Sequence, residues 1–250
     1  MTEVEHTNEA AAKRLNKYIA ETGFCSRREA DRLVGERRVT VNGVVAGIGT
    51  TVAEGDEVRV DGDLLRVRKA KPGKRRHVYI VLNKPVGITC TTEESVKGNI
   101  IDFVGHEQRI FPVGRLDKDS EGLILLTSNG DIVNELLRKE NKHEKEYLVE
   151  INKPVTDEFL RSMARGGLWM HGQQTLPCRA TRHGKFGFRI VLTQGLNRQI
   201  RLMASAFGYR VKVLRRVRLG SLKLAELKPG RWRNLTDVEL RALLPGHADW

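Results

Sequence analysis

The sequence predicts an α+β protein, in which a small helix-helix-hairpin module precedes a larger domain built on a mixed, mostly antiparallel sheet flanked by helices. Two short helical patterns and a hairpin signal come before residue 65. Strand and helix patterns then alternate through the rest of the chain. With 250 residues the chain has room for two domains, since one domain usually holds about 100 to 200 residues.

Composition and pattern divide the chain into four segments. They are a flexible tail at 1–12, the small module at 13–65, a basic linker at 66–76 and the large domain at 77–245. The tail has no recurring apolar face. Pro72 and Gly73 interrupt the linker, so neither a continuous helix nor a strand is expected there.

The small module has dense local signals. The helical spacing of Leu15, Tyr18 and Ile19 predicts a first helix. The run Ser26-Arg27-Arg28-Glu29 has the pattern of a capping box, which predicts the start of a second helix. Valine pairs then flank Asn42-Gly43, the strongest short hairpin signal, so a hairpin follows the two helices.

The large domain opens with an uninterrupted apolar run at 78–82, which is typical of a strand buried on both faces. Further strands are predicted at 123–127, 147–151 and 186–192, and helices after Asp131, around 159–163 and at 200–207. In the strand at 186–192, period-2 alternation predicts that Phe186, Phe188, Ile190 and Leu192 share one face.

The charge balance indicates a polyanionic partner. Lysine and arginine number 44 against 31 acidic residues, so the net charge is +13 and the pI is about 9.9. On charge alone, a basic but generally soluble protein is the alternative. No apolar stretch reaches the roughly 18 residues of a membrane span, and the start lacks the pattern of a signal peptide. Three scattered cysteines argue against a disulfide framework or a zinc site, so the cytoplasm is expected.

Basic side chains cluster on the two helices of the small module. Ser26 places helical N–H groups at one end of the second helix, where a phosphate can bind. We therefore expect phosphate contacts here, with a solvated charged face as the alternative. The candidate residues are Arg14, Lys17, Ser26, Arg27, Arg28, Arg32, Arg37 and Arg38.

A charged loop at 114–122 runs directly into the apolar strand at 123–127. It places Asp117 and Asp119 beside Arg115 and Lys118, with a glycine at each end. A loop anchored on a buried strand is where a rigid scaffold displays a reactive group. From the residues alone, a charged surface turn is the alternative.

Four motifs, in order, resemble those of the pseudouridine synthases that modify ribosomal RNA, the family named for the small-subunit synthase A. They are LNKPVG at 82–87, GRLDKDSEGLILLT at 114–127, KEY at 145–147 and GLNRQIR at 195–201. The segment at 14–43 resembles the S4 RNA-binding domain. Where many relatives have basic residues this chain has Leu196 and Leu202, which puts nucleotide contacts near the last motif in doubt.

The resemblance implies roles for particular residues. Asp117 would be the covalent nucleophile, Arg201 its ion-pair partner, and Tyr147 the residue that stacks on the target uracil. A further hypothesis is that Tyr147 helps to remove the C5 proton. Leu219 would form the opposite apolar wall. Candidate contacts to the rest of the substrate are Arg115, Lys118, Arg198 and Lys84, with Lys212, Arg215, Arg216 and Arg218 lining the approach.

The implied enzyme is an isomerase with structured RNA as its partner. The reaction exchanges a C–N bond for a C–C bond without net redox change, so no cofactor or metal is expected, and no phosphate-loop or metal-ligand motif is present. The expected substrate is 23S rRNA or a pre-ribosomal particle, and the expected state is a monomer. Small-subunit rRNA or tRNA is the alternative substrate, and a non-catalytic S4-type ribosome-assembly protein is the alternative class.

Overall fold

The chain divides into two units, Met1–Lys74 and Arg75–Trp250. The structure is a computed structural model, and it describes residues 12–66, 77–137 and 143–246. The predicted tail, apart from Ala12, and the predicted linker, apart from Arg66, lie outside these described residues.

The N-terminal unit has the predicted helix-helix-hairpin order. Its described elements are β1 (Lys13–Arg14), α1 (Leu15–Glu21), α2 (Arg27–Gly35), β2 (Val39–Val41), β3 (Val44–Val45), β4 (Thr51–Val52), β5 (Val58–Val60) and β6 (Asp63–Leu64). The sheet order is β3-β2-β5-β6, and β1 pairs with β4. Leu15, Ile19 and Ala30 bring the two helices onto a core that includes Val39 and Val58 of the sheet.

Local signals explain these elements. Asn42 and Gly43 have φ angles of 51° and 80°, the left-handed backbone that a tight hairpin turn requires. The Ser26 hydroxyl accepts the backbone N–H of Glu29 at 3.1 Å and starts α2 as predicted. The Glu29 carboxylate, however, bonds Arg32, so the predicted capping box is only half formed.

The C-terminal unit contains a large sheet with helices packed against it. Its described elements are β7 (Tyr79–Lys84), α3 (Ile100–Val104), β8 (Phe111–Val113), β9 (Glu121–Thr127), α4 (Asp131–Leu137), β10 (Lys145–Ile151), α5 (Asp157–Arg165), β11 (Trp169–Met170), β12 (Gln173–Gln174), β13 (Arg179–Arg182), β14 (Gly187–Leu192), α6 (Gln199–Ala206), β15 (Val211–Leu219), β16 (Leu222–Lys223), β17 (Trp232–Asn234) and α7 (Asp237–Leu243).

The sheet order is β13-β14-β10-β15-β9-β7-β17, with β16 beside β15 and β8 beside β9. The pair β15–β9 is parallel, and the other described pairs of this sheet are antiparallel. The prediction of a mixed, mostly antiparallel sheet flanked by helices is therefore confirmed.

Alternation along β9 separates two core clusters. Leu123 and Leu125 face the α4/α7 cluster, to which these two helices contribute. Ile124 and Leu126 face the α3 cluster on the other side of the strand. A third group, the α5/α6 cluster, covers β10 and β14. Full burial of each leucine stabilises the fold by about 1.5 to 3 kcal/mol, which holds the middle of the sheet firmly.

Two features differ from the sequence prediction. Phe186 is 45% exposed and precedes β14, because the β13–β14 turn ends at Gly187. Phe188, Ile190 and Leu192 are buried as predicted. The basic run at 211–219, for which a solvated strand edge was the alternative to RNA contact, forms β15 between β10 and β9 in the middle of the sheet.

Gly122 allows β9 and β15 to approach each other closely. Its φ angle is +104°, and a Cβ atom there would lie 2.2 Å from the carbonyl oxygen of Arg216. Any side chain would push β15 away from the strand that follows the charged loop. Gly184, with φ +85°, lies in an exposed turn and has no atom within 4 Å of the corresponding Cβ position.

Gly122→Ala should destabilise the C-terminal unit more than Gly184→Ala does. Both replacements introduce a side chain at positive φ, but only the first forces two strands apart, which adds about 1 to 3 kcal/mol. Urea unfolding followed by far-UV circular dichroism measures the difference. Equal losses of stability in the two variants would contradict the close approach of the strands.

Candidate active site

The charged loop lies in the C-terminal unit and leads from β8 into β9, the strand between β15 and β7. The backbone N–H of Ser120 donates to the carbonyl oxygen of Asp117 at 3.1 Å, which forms a tight turn. The Asp117 side chain is 28% exposed. It therefore combines partial desolvation with access from outside.

Lys84 fixes this turn from below. It is 0% exposed, and its ammonium donates to the carbonyl oxygens of Pro85 at 2.9 Å and Ser120 at 2.8 Å. Burial lowers the pKa of Lys84, while the negative charges of Asp117 and Asp119 oppose that shift. The predicted role of Lys84 as a substrate contact is wrong, because a side chain with no exposed surface cannot reach RNA.

Two more contacts hold the loop. The backbone N–H of Leu116 donates to the sulfur of Cys90 at 3.4 Å, and Leu116 is buried in the α3 cluster. The backbone N–H of Gly87 donates to the carbonyl oxygen of Lys118 at 2.8 Å. The segment at 84–90 thus supports the loop on both sides of Asp117.

Two arginines of the 195–201 motif meet the loop, but mainly at Asp119. Arg198 donates to the two carboxylate oxygens of Asp119 at 3.2 and 3.1 Å. Arg201 lies 3.4 Å from the same carboxylate and donates to the Asp119 carbonyl oxygen at 2.8 Å. Burial raises the pKa of Asp119, but the Arg198 hydrogen bond and the Arg201 charge reverse this and hold the pKa below its usual value.

The predicted direct pair between Arg201 and Asp117 is not formed in this structure. Among the described residues, the cation within 4.0 Å of the Asp117 carboxylate is Arg198, at 3.9 Å. Arg201 is held farther along the loop because its guanidinium also donates to the hydroxyl of Ser120 at 3.2 Å. Arg198 has a left-handed backbone, with φ 52°, at the start of α6, a strained conformation that is typical of functional sites.

Tyr147 lies on β10 and packs partly buried against both the α3 cluster and the α5/α6 cluster. The α3 cluster also contains Leu116, the residue before Asp117. The cross-strand partner of Tyr147 on β15 is Arg216. Arg216 is 3% exposed and donates to the carbonyl oxygen of Leu123 at 2.6 Å.

Leu219 does not face Tyr147. It is 2% exposed and belongs to the α4/α7 cluster, on the other face of β9 from the α3 cluster that Tyr147 touches. The predicted apolar wall at Leu219 is therefore wrong. Leu214 is the β15 leucine that shares the α5/α6 cluster with Tyr147.

The remaining predicted contacts fall into two groups. Arg115, Lys118 and Lys212 are exposed and remain accessible to RNA. The other three basic residues of β15 are already engaged within the protein. Arg215 pairs with Glu121 at 2.6 Å, Arg216 is buried, and Arg218 pairs with Glu144 and Glu146 at 2.8 and 2.7 Å.

The basic surface of the N-terminal unit also divides in two. Arg14, Arg27, Arg28 and Arg37 are exposed, and their side chains contact no acidic group among the described residues. Arg32 pairs with Glu29 and Glu36, and Arg38 pairs with Glu36 and Asp61. Lys17 lies 3.7 Å from Glu21.

No metal-binding arrangement was found in the described ranges, where no group of three or more His, Cys, Asp or Glu side chains could hold an ion. Within the same ranges, none of the helices has the length and apolarity to cross a membrane.

Comparison with known proteins identifies the class. The RNA pseudouridylate synthase family model matches residues 78–206, and the S4 domain model matches residues 13–58. The dual-specificity RNA pseudouridine synthase RluF of Escherichia coli (strain K12) is 53% identical over 227 residues, covering 91% of this chain and 77% of that protein. The ribosomal large subunit pseudouridine synthase B of Bacillus subtilis (strain 168) is 33% identical over 240 residues, covering 92% and 95%.

A crystal structure of a pseudouridylate synthase superposes with a TM-score of 0.67 and 28% identity, covering 92% of this chain and 99% of that chain. Fold and sequence together define an RNA-modifying isomerase. The chain belongs to the RNA pseudouridine synthase family, with an S4 domain before the synthase domain. The pattern at 119–121, 143–149 and 194–201 predicts a likeness to large-subunit synthase F, and the 53% identity with RluF confirms it.

Three supporting residues were not predicted from the sequence. Asp119 and Ser120 lie inside the quoted motif, but only the structure shows that they accept hydrogen bonds from Arg198, Arg201 and Lys84. Cys90 lies outside all four motifs, and a lone cysteine gave no signal of its contact with Leu116.

Lys84→Met should destabilise the fold and impair chemistry without weakening RNA binding by the folded protein. It removes the donor from the buried Ser120 carbonyl oxygen and the part-buried Pro85 carbonyl oxygen, and an unpaired buried group costs about 1 to 3 kcal/mol. Lys223→Met, at an exposed strand position, is the control and should stay within about 0.5 kcal/mol of wild type. Urea unfolding and RNA affinity are the measurements. Wild-type stability with weaker RNA binding in Lys84→Met would restore the substrate-contact role.

Proposed function

We propose that Asp117 is the covalent nucleophile of this synthase. The observation that carries the proposal is the fixation of its turn by Lys84, Cys90 and the Arg198–Asp119 pair, which leaves the Asp117 carboxylate partly exposed. A nucleophile must be held in place and still be reachable, and the loop meets both conditions.

Arginines lie on the side of Asp117 that faces Asp119. Arg198 lies 3.9 Å from the Asp117 carboxylate, and Arg201 contacts the Asp119 carboxylate. We assign Arg201 the role of a positioning residue that acts through Asp119 and Ser120.

The target base would stand against Tyr147. Flipping a uridine out of its stack costs a few kcal/mol, which an aromatic face and an apolar neighbour repay in part. Leu214 replaces Leu219 as that apolar neighbour, because it shares a cluster with Tyr147.

The reaction balances without a co-reactant. Asp117 adds covalently to the nucleotide, the bond between ribose C1′ and uracil N1 breaks, and the base turns. C1′ then joins C5, the carboxylate leaves together with the C5 proton, and N1 carries a proton. The protein supplies a nucleophile, cations and an enclosed surface for the base.

Asp117→Asn should abolish release of tritium from rRNA transcripts labelled at uridine C5. Removal of a catalytic nucleophile lowers kcat by about 10⁴-fold or more. Asp157→Asn is the control, since Asp157 is an exposed first-turn residue of α5. Equal tritium release by Asp117→Asn and wild type would refute the assignment. No release by wild type from any rRNA would favour the non-catalytic RNA-binding alternative instead.

We propose 23S rRNA, free or in a pre-ribosomal particle, as the substrate of this chain. The name of the Bacillus subtilis relative refers to the large ribosomal subunit, and that of RluF to dual specificity. We also propose that the protein works as a cytoplasmic monomer, since Lys84, Asp117, Tyr147, Arg198 and Arg201 come together within one chain.

Pseudouridine mapping of total RNA from a deletion strain identifies the target. The proposal predicts the loss of one pseudouridine, or of two neighbouring ones, in 23S rRNA. Losses confined to small-subunit rRNA or to tRNA would move the substrate assignment to that RNA. Complementation with wild type should restore the modification, and complementation with Asp117→Asn should not.

Replacing unpaired arginines of the S4 domain should weaken RNA binding more than replacing paired ones. Arg27→Gln with Arg28→Gln removes two free cations, and each lost phosphate contact lowers the slope of log K against log salt by about 1. Arg32→Gln with Arg38→Gln removes cations that already hold carboxylates, so the slope should change less. The same change of slope in both doubles would contradict this division.

A further inference from the structure

An open groove lies beside the charged loop, with a volume of about 590 Å³. This volume falls within the range of about 300 to 1,000 Å³ that is usual for ligand pockets. Its lining contains four basic side chains and one acidic side chain, Asp119. The basic residues are Lys153, Arg198, Arg201 and Arg210.

Two of these cations have no acidic partner. Lys153 and Arg210 are exposed, and neither side chain pairs with a carboxylate among the described residues. The Lys153 ammonium lies 5.6 Å from the centre of the Tyr209 ring, which also lines the groove. Both cations therefore line the open groove, where an anion can reach them.

Other exposed arginines of the same unit are satisfied differently. Arg179 pairs with Glu144 at 2.7 Å, and Arg182 pairs with Asp157 at 2.7 Å. With four basic side chains and one acidic side chain in its lining, the groove carries a local excess of positive charge. Such an excess attracts a polyanion more than a mixed surface does.

Asp119 is the acid inside the groove, and it holds both arginines nearest the nucleophile. Its carboxylate takes a two-pronged hydrogen bond from Arg198, the geometry with which arginine also holds a phosphate. The Nε atom of Arg201 is buried and has no hydrogen-bond partner in the described structure, although it lies 3.4 Å from Asp119. The single carboxylate of Asp119 therefore leaves the Nε donor of Arg201 without a hydrogen-bond partner.

We propose that the groove binds backbone phosphates of the nucleotides next to the target uridine, and that Asp119 occupies a phosphate position until RNA arrives. This proposal rests on the proposed function, because it places the groove next to Asp117. Arg198 connects the two, since it contacts Asp119 at 3.1 Å and lies 3.9 Å from Asp117.

The groove therefore does more than add general charge. A phosphate that takes Arg198 or Arg201 from Asp119 would change the cations around the nucleophile as the substrate binds. The S4 domain carries its own unpaired arginines, so groove binding must be measured by variants confined to the groove.

The test uses the full chain carrying Asp117→Asn, so that the RNA is bound and not converted. The probe is a fluorescein-labelled transcript of the 23S rRNA region that contains the mapped uridine. Lys153→Gln with Arg210→Gln should weaken binding and lower the salt slope by about 2, one for each lost contact. The control double, Arg179→Gln with Lys223→Gln, removes the same charge from exposed positions outside the groove lining and should change affinity less than about twofold.

Asp119→Asn gives the opposite prediction. Removing the resident anion frees both arginines for phosphate, so RNA affinity should rise about two- to tenfold, the range of about 0.4 to 1.4 kcal/mol. A purely structural Asp119 would give weaker binding when replaced. Weaker binding by Asp119→Asn would therefore overturn its role as a stand-in, and equal effects of the groove double and the control double would overturn the groove.

A measurement with modified RNA distinguishes a lost phosphate contact from poor folding of a protein variant. Single phosphates near the target uridine are replaced by neutral methylphosphonates, and binding to the chain without groove changes is measured. At least one replacement should weaken binding, and that loss should disappear in the groove double. If no neutral phosphate weakens binding, the groove proposal fails. If wild type releases tritium normally in that case, the proposed function stands and only the groove is rejected.

Discussion

The buried bond from the Lys84 ammonium to the Ser120 carbonyl oxygen is the interaction on which the site depends. It joins the end of β7 to the turn that carries Asp117, and β7 pairs with β9 along six residue pairs. A charged amine without exposed surface is unfavourable unless it is well bonded, and here the acidic loop offsets part of the cost of burial. The two hydrogen bonds to carbonyl oxygens satisfy further donors of the ammonium. Because Lys84 lies at the end of a central strand, the middle of the sheet fixes the position of the nucleophile.

The carboxylates of Asp119 and Asp117 share Arg198 and Arg201 unequally. Asp119 receives the hydrogen bonds, while Asp117 has only the more distant contact with Arg198. This division leaves Asp117 accessible, since a carboxylate with both oxygens hydrogen-bonded would be a poor nucleophile. It also explains why the basic groove and the chemistry are linked without being the same surface. A phosphate bound in the groove would change the hydrogen-bond partners of Arg198 and Arg201. These two arginines supply positive charge around Asp117.

Much of this arrangement follows from the sequence, for physical reasons. The hairpin at Asn42-Gly43, the buried strand β7 and the apolar face of α6 depend on local turn chemistry and periodicity, so they are predictable. The partner of Arg201 was not predictable, because the choice between two aspartates two residues apart depends on where the turn directs each side chain. Leu219 was misplaced because a register shift in the β10–β15 pair changes which residues face Tyr147. Burial of Lys84 could not be inferred, since a lysine beside a proline is usually exposed.

The loop held by Lys84 presents Asp117, and not Asp119, to the nucleotide. Fluorine in place of hydrogen at C5 blocks the final proton loss, so the covalent intermediate should accumulate. The most direct measurement is therefore mass spectrometry of peptides from enzyme incubated with rRNA that carries 5-fluorouridine at the mapped position. We expect a nucleotide adduct on Asp117 that is absent from Asp117→Asn. An adduct on Asp119, or one that persists in Asp117→Asn, would contradict it.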